Sequence, residues 1–422
     1  MESTVTDMLG DDESNLLYVV GGFDSINGKY MRGIATWDGK QWNELDHGID
    51  YGLPPKRWGL EGSHISWYKN KLVIGGSFDQ VGLNLKSKNV AFWNTDSLKW
   101  ESCDWNPNGS IYFIHDVRDT TYVLGRFDSI AGKPSFRISY LHQGTWNQMK
   151  TPYLIKDFIV MTPYKGNYYL GIYPSFGPTN MNRLVRWDGT QFHVSDHVIN
   201  SEQSVVLELI EYQDELYVGG SFRKADGNIG NHIMKWDGHQ FHNVGDANGH
   251  MAGGYVVDLK TYGGRLYACG SFDKIGGKSA YDIACFNGKE WFSLNRMPGD
   301  SQFRSGINCM AFLNNSLYVT RQIVIDNKDY FQVLRYNGTL NSISSDYDSS
   351  RKISIYPNPA NAQITVKGYK TGMSIEVYNS LGEPILTDYN LKSFDVSDWK
   401  SGLYFIKVHS KETIKTLKFI KP

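Results

Sequence analysis

Short runs of alternating apolar and polar residues recur through most of the chain, as in VLELIEY at Val206–Tyr212, VVDLKTY at Val256–Tyr262 and INCMAF at Ile307–Phe312. A period of two predicts half-buried strands. A polar turn follows each run: QDE, GGR or NNS. Then comes a more continuous apolar strand that ends in paired glycines, as in LYVGGSF at Leu216–Phe222. About ten residues rich in Asp, Gly and Lys lead to a strand ending in Trp or Phe, such as IATW or DIACF. A DGKQ or NGKE turn precedes a last short strand, WNEL or WFSL. Each unit thus predicts four strands in antiparallel hairpins.

The aromatic closing the diglycine phrase falls at Phe23, Phe78, Phe127, Tyr173, Phe222 and Phe272, with Ile323 in the seventh place, a period near fifty. Asp38-Gly39, Asp188-Gly189, Asp237-Gly238, Asn287-Gly288 and Asn337-Gly338 suit tight turns with positive φ. The rings flanking them, Trp37/Trp42, Trp187/Phe192 and Trp236/Phe241, should share a face and wedge one sheet against the next. The diglycines call for something close to the backbone, and neighbouring rings are the expected candidates. A four-stranded unit cannot bury two apolar faces alone, but seven in a ring can, which predicts an all-β, seven-bladed β-propeller over residues 1–344. The segment KLVIGGSF…VAFWNTDSLKWESC (Lys71–Cys103) resembles a kelch repeat, as found in galactose-oxidase-type propellers. The period is too long for WD repeats. Units four and seven depart from the pattern, with LGIYPSF and VTRQI in place of the diglycine phrase.

After Ser344 the grammar changes. Residues 345–352 form a polar linker, and residues 353–422 hold short alternating strands predicting a small Ig-like β-sandwich. This stretch carries ten Lys against six acidic residues from Lys352 onward. YPNPA (Tyr356–Ala360), VYNSLGEPI (Val377–Ile385), SGLYFIKV (Ser401–Val408) and the terminal basic-apolar strand occur in one order. Together they resemble the C-terminal sorting domain of the type IX (Por) secretion system of Bacteroidetes. The matching positions include Pro357, Pro359, Gly382, Gly402, Tyr404, Lys418 and Lys421. The resemblance implies recognition by the type IX secretion machinery and localisation in the medium or on the outer surface of a Gram-negative cell. Such cargo first needs a cleavable signal peptide. MESTVTDMLGDDESN has neither a basic nor an apolar region of that kind, so the expectation is that Met1 is not the native start or that a leader has been removed.

Composition narrows the functions. A formal net charge of −1 gives no field to attract nucleic acid. No apolar run is long enough for a transmembrane helix. Cys103, Cys269, Cys285 and Cys309 form no CxxC or Cys/His cluster, so no metal or cofactor is expected. Buried free thiols are the plainer reading, and a Cys269–Cys285 bridge is the alternative. No G-x-S-x-G, H-E-x-x-H, P-loop or G-x-G-x-x-G occurs. The recurrent Asp24, Asp128 and Asp273 read as turn formers.

In kelch-like propellers the second-to-third-strand loops and the between-blade loops share one rim, which the resemblance marks as the ligand face. The between-blade segments offer Asp50, Arg57 and Trp58; Asp104 and Trp105; Asp246 and His250; and Asp300 and Arg304. Trp, Arg and Asp on a rim suit an extracellular glycan or protein ligand, because a ring face stacks while polar groups orient. The plainer reading of each residue is loop packing or a solvated charge. The alternative function is a glycan-active enzyme, a hydrolase or lyase, whose sign would be carboxylates or a Tyr/His/Arg set converging at the channel mouth. A spacer is the third reading.

Overall fold

The computed structural model describes residues 4–50, 64–117, 119–151, 157–173, 184–193, 199, 204–249, 254–294, 306–325, 328–336, 354–356, 360–367, 374–380, 382–388, 393–409 and 414–422. The chain falls into two compact units, Met1–Ile343 and Ser344–Pro422. Among the described residues the only helical element is a single 3₁₀ turn, Lys224–Asp226.

The first unit is a ring of seven antiparallel sheets. Blade 1 consists of Val5–Asp11, Leu16–Gly21, Ile34–Trp37 and Trp42–Glu44; blade 2 of His64–Tyr68, Lys71–Gly75, Val90–Asn94 and Lys99–Ser102. Blade 3 is Ile111–Val117, Thr120–Gly125, Ile138–His142 and Thr145–Gln148; blade 4 is Asp157–Tyr164, Asn167–Tyr173, Leu184–Trp187 and Phe192–His193. Blade 5 is Val206–Tyr212, Glu215–Gly220, Ile233–Trp236 and Phe241–Asn243; blade 6 is Tyr255–Tyr262, Arg265–Ser271, Ile283–Phe286 and Trp291–Ser293. Blade 7 shows Ile307–Leu313, Ser316–Ile325 and Lys328–Arg335; the expected turn at Asn337-Gly338 lies outside the described residues.

The core is seven apolar wedges, one between each pair of neighbouring sheets. The seventh closes the ring, joining Val5, Met8 and Phe23 of blade 1 to Cys309, Ala311 and Phe331 of blade 7. Each blade uses strands consecutive in sequence, so side chains, not a swapped strand, seal the circle. On the seam, Asn314 donates its backbone N–H to Asp12 Oδ1 (2.7 Å) and its amide to Asn15 Oδ1 (2.6 Å).

The aromatic pairs lie as the turns dictate. Trp37 and Trp42 are cross-strand partners with centroids 5.4 Å apart, and Trp236/Phe241 and Trp187/Phe192 lie at 5.0 and 4.8 Å. The corresponding pairs of blades 2 and 6, Trp93/Trp100 and Phe286/Trp291, also bond across blades: Trp100 Nε1 donates to the Leu45 carbonyl (3.2 Å) and Trp291 Nε1 to that of Val244 (2.6 Å). In each Asp-Gly or Asn-Gly turn among the described residues only the glycine has positive φ, as in Gly39 at +91°. The preceding Asp38 acts through its side chain, whose Oδ1 accepts the N–H groups of Lys40 and Gln41.

The diglycine expectation needs correction. The nearest contact at Gly21, Gly125 and Gly220 is backbone, not a ring; the one ring within reach is Phe222, whose Cδ1 would lie 3.2 Å from a Cβ on Gly220. A Cβ on Gly21 would be driven into the Thr4 carbonyl, one on Gly125 into that of Ser110 and one on Gly220 into that of Val205. In these three blades the first strand begins with a bulge, for example between Val5 and Asp7, that turns this carbonyl inward. The same oxygen accepts the N–H of the following residue, Gly22, Arg126 or Ser221. Blade 7 has Thr320 and Arg321 here, and its second and third strands run on as one long hairpin from Tyr318↔Arg335 to Ile325↔Lys328. All four cysteines are buried and free; Cys269 faces Ile283 and Cys285 faces Tyr267, so the two thiols are not cross-strand partners.

The second unit is a sandwich. One sheet contains Ser354–Tyr356, Gln363–Lys367 and Ser393–Asp395; the other orders Pro384–Asp388, Ser374–Asn379, Gly402–His409 and Ile414–Lys421. Ile364, Val366, Val377, Ile406, Val408 and Phe419 fill its core.

Candidate functional site

The ends of the strands that carry the second-to-third connections also carry the between-blade segments, and the two are stitched together. After Phe23, Phe127 and Phe272 the chain folds into a small hairpin, closed by the backbone carbonyls of Asp24, Asp128 and Asp273, which accept the N–H groups of Met31, Ser135 and Ala280. The segment leaving blade 1 pairs with the hairpin of blade 2, Ile49↔Val81 and Asp50↔Gln80. The segment leaving blade 5 pairs likewise with blade 6, Ala247↔Ile275 and Asn248↔Lys274. Between blades 2 and 3, Asn108 Oδ1 accepts the N–H groups of Asp128 and Ser129. Three large apolar side chains stand out in solvent from these connections in three blades: Tyr30 (56% exposed), Leu83 (65%) and Ile229 (51%).

The expected site residues fare differently on this rim. Asp50 lies on the paired stretch, and Asp104 is exposed. Trp105 is corrected: it is 4% exposed and packs edge-on against Tyr68, Phe92 and Trp146, so its faces belong to the wedge between blades 2 and 3. Asp246 is engaged by its own blade, through an ion pair with Lys224 (2.6 Å) and the N–H of Asn231 (3.1 Å). Burial pushes its carboxyl up, but Lys224 and that N–H outweigh it and the net displacement is downward. Arg57, Trp58, His250, Asp300 and Arg304 lie outside the described residues. In the sandwich, Tyr404 stacks on Phe419 (5.1 Å) and donates its hydroxyl to the Lys400 carbonyl (2.8 Å). Gly382 takes φ +83° in the turn after Asn379, and Lys421 Nζ donates to the Asn361 carbonyl. Gly402 opens the long central strand and Lys418 is exposed on the last one, while Pro357 and Pro359 lie outside the described residues.

A second constellation, missed in the sequence, lines the central channel. The innermost strand of every blade has an open edge with unpaired backbone groups, and side chains of a neighbouring blade cap several of them. Asp7 Oδ2 accepts the N–H of Ile65 (3.2 Å) in blade 2, and Asp258 Oδ2 that of Met310 (2.9 Å) in blade 7. Thr162 Oγ1 donates to the Leu209 carbonyl (2.7 Å), and the His64 ring reaches that of Ile114 (3.1 Å). The other His64 nitrogen meets Asp7 at 2.9 Å, and Lys260 pairs with Asp258 at 3.4 Å. Asp7, His64, Glu208 and Asp258 occupy equivalent places, paired with Val20, Gly75, Gly219 and Cys269 of the second strands, and all but His64 follow a bulge.

Burial pushes the Glu208 carboxyl up to about 8, with Asp258 adding to the push and Lys260 opposing it. Burial raises Asp258 as well, against the pull of Lys260. Asp7 moves the other way, because the His64 ring and Lys260 outweigh its burial. The Lys260 ammonium is held well above its usual range, chiefly by Asp258. Burial lowers His115, and the neighbouring His64 adds to the effect. The sequence signal was a polar residue two places after the first apolar one: Val5-x-Asp7, Val206-x-Glu208 and Val256-x-Asp258. No group of three or more metal-ligating side chains gathers among the described residues.

Residues 354–422 match the family model of the secretion system C-terminal sorting domain. The whole chain therefore joins a seven-bladed β-propeller to a sorting tail that sends it through the type IX secretion system to the cell surface or extracellular space. Such a tail is recognised by the type IX machinery, and no helix among the described residues is long and apolar enough to cross a membrane. Among solved structures, PorZ of Porphyromonas gingivalis, a surface component of the type IX secretion system, is similar at 12% identity and TM-score 0.49, over 99% of this chain and 59% of that one. The extracellular domain of BT4673 from B. thetaiotaomicron is similar at 10% identity and TM-score 0.46, over 99% and 56%. An oligogalacturonate lyase from Vibrio parahaemolyticus is similar at 12% and 0.44, over 79% and 90%. The chain spans under two thirds of the first two. The sheets and their closure, not these likenesses, carry the fold. No curated protein matches the chain.

Proposed function

We propose that this exported propeller binds an extracellular glycan or protein ligand through the stitched rim. The observation that supports this reading is the exposure of Tyr30, Leu83 and Ile229 at one connection of three blades, of which the hairpin carrying Leu83 is also paired to the segment leaving blade 1. Apolar side chains presented on a rigid frame lose little entropy on binding. Arg32 lies 5.2 Å from the Tyr30 ring and adds a cation beside it. We propose Asp50, Arg57, Trp58, Asp104, Asp246, His250, Asp300 and Arg304, which the sequence assigns to the between-blade segments, as its polar and aromatic complement. Glycan and peptide arrays probed with the whole chain test it. Tyr30→Ala combined with Leu83→Ser should weaken any hit by about tenfold, and Trp58→Ala should weaken it as well. Hits that ignore all three substitutions place the ligand elsewhere.

The channel cluster favours a second reading, an extracellular glycan-active enzyme. A carboxyl titrating near 8 is still largely protonated at neutral pH and suits a general acid. Product release from a polysaccharide panel, lost in Glu208→Gln, would support it. Activity unchanged in that variant would remove its basis.

A further inference from the structure

The turn between first and second strands repeats a tyrosine whose task is plain in three blades. Tyr164 donates its hydroxyl to the Asp214 carbonyl (3.1 Å), Tyr212 to that of Gly264 (3.1 Å) and Tyr262 to Asn315 Oδ1 (2.7 Å). Each clamps the corresponding turn of the next blade. In blade 4 the following residue helps, since Lys165 Nζ donates to the Asp237 carbonyl of blade 5.

Blade 2 has the same Tyr-Lys dipeptide and does something else with it. The Tyr68 ring lies flat on Phe92, with centroids 5.3 Å apart and planes 21° from parallel. Trp105 braces both rings edge-on from beneath. Among the described residues neither the Tyr68 hydroxyl nor the Lys69 ammonium has a hydrogen-bond partner, and Lys69 sits 5.0 Å over the Tyr68 ring. Lys71, by contrast, is paired with Glu101, which Asn94 also holds. Beside this dipeptide a cavity of about 360 Å³ opens, lined by Tyr68, Lys69, Asn70, Lys71 and Phe92 of blade 2. That volume falls in the range of small-molecule sites, roughly 300–1,000 Å³.

We propose that this cavity, on the rim of tight turns and independent of the ligand rim above, binds a single acidic sugar unit, a pyranose ring bearing a carboxylate. The aromatic floor takes the apolar face of the ring. The Tyr68 hydroxyl and the Asn70 amide serve the sugar hydroxyls. Lys69, the cation with no carboxylate of its own, takes the acid group. A neutral sugar leaves that cation unused, and a small free carboxylate leaves the floor bare.

Titration calorimetry and saturation-transfer NMR on the whole chain, with a hexuronate trisaccharide, the matching neutral hexose trisaccharide and acetate, decide the matter. Only the hexuronate should bind saturably, with its ring protons receiving transfer from aromatic side chains. Tyr68→Ala should weaken it about tenfold, and Lys69→Asn about threefold to fivefold. Asn suits the positive φ of 53° at Lys69, so this variant keeps the turn and decides alone if the tyrosine variant is unstable. The proposal is overturned by absence of hexuronate binding, by equal binding of the neutral sugar, or by indifference to Lys69→Asn. Array hits on the opposite rim that persist through such a failure would leave the rim reading standing.

Discussion

At the scale of single residues, Glu208 contributes opposite stability terms at low and high pH. In the unfolded chain its carboxyl ionises near the ordinary value of 4.5; in the folded channel burial holds it protonated up to about 8. Between those values the folded state binds the extra proton, so stability falls as pH rises through this window and then levels off. Glu208→Gln keeps an acceptor for the Leu209 N–H, now bonded at 3.0 Å, and removes the ionisation. Thermal melts should show the variant more stable than the parent by about 1 kcal/mol or more at about pH 9 and nearly equal at about pH 4. A parallel displacement of the two melting curves at both pH values would show that the proton is not involved. Asp7 has the opposite sign. Its carboxyl is depressed by His64, so its contribution is present above the unfolded value of 3.8 and is lost as pH falls further. Asp7→Ala should cost about 1–3 kcal/mol at neutral pH, because the Ile65 and Met8 N–H groups lose their acceptor.

At the scale of elements, the diglycine divides into two unlike positions. Gly21 faces the Thr4 carbonyl turned in by the bulge, whereas a Cβ on Gly22 would meet nothing within 4 Å. Gly21→Ala should therefore destabilise blade 1 by about 2 kcal/mol or more. Gly22→Ala should be neutral or slightly stabilising, since it only narrows the freedom of the unfolded chain. Denaturant midpoints of the two variants check this, and equal losses would refute the assignment of the close contact. A third recurrent position closes the same corner. Gly33, Asn89, Arg137, His232 and Asp282 all have φ between +61° and +68°. Each donates its N–H to the carbonyl of Phe23, Phe78, Phe127, Phe222 or Phe272. Because side chains of five kinds occupy it, the shared backbone geometry leaves no residue-type pattern to read.

At the scale of the molecule, the seven wedges make the first unit a closed structure with its own core, and the sorting tail has a separate one. Expression of Met1–Ile343 alone should give a cooperatively melting domain that keeps the near-UV signal of its buried Trp residues. The same truncation in the producing cell should abolish appearance at the surface or in the medium, read by protease accessibility and immunoblot. Surface display without residues 344–422 would show that export does not depend on the tail.

The chain by itself determined the number of blades, their strand order and the sorting tail, because each rests on local information. Period-two alternation, Asp-Gly turns and recurrent phrases are written residue by residue. Only the tertiary structure decided what the polar and aromatic residues do, since that depends on which blade faces them. Trp105 looked like a ligand platform and proved to be a wedge. Asp7 and Asp258 looked like ordinary strand residues and proved to cap the inner edge of the next blade. Tyr68 and Tyr164 sit in the same dipeptide, yet one clamps a neighbour and the other floors a cavity. The physical reason is that an open strand edge and a gap between sheets exist only once the ring has closed, and their partners come from residues about fifty positions away.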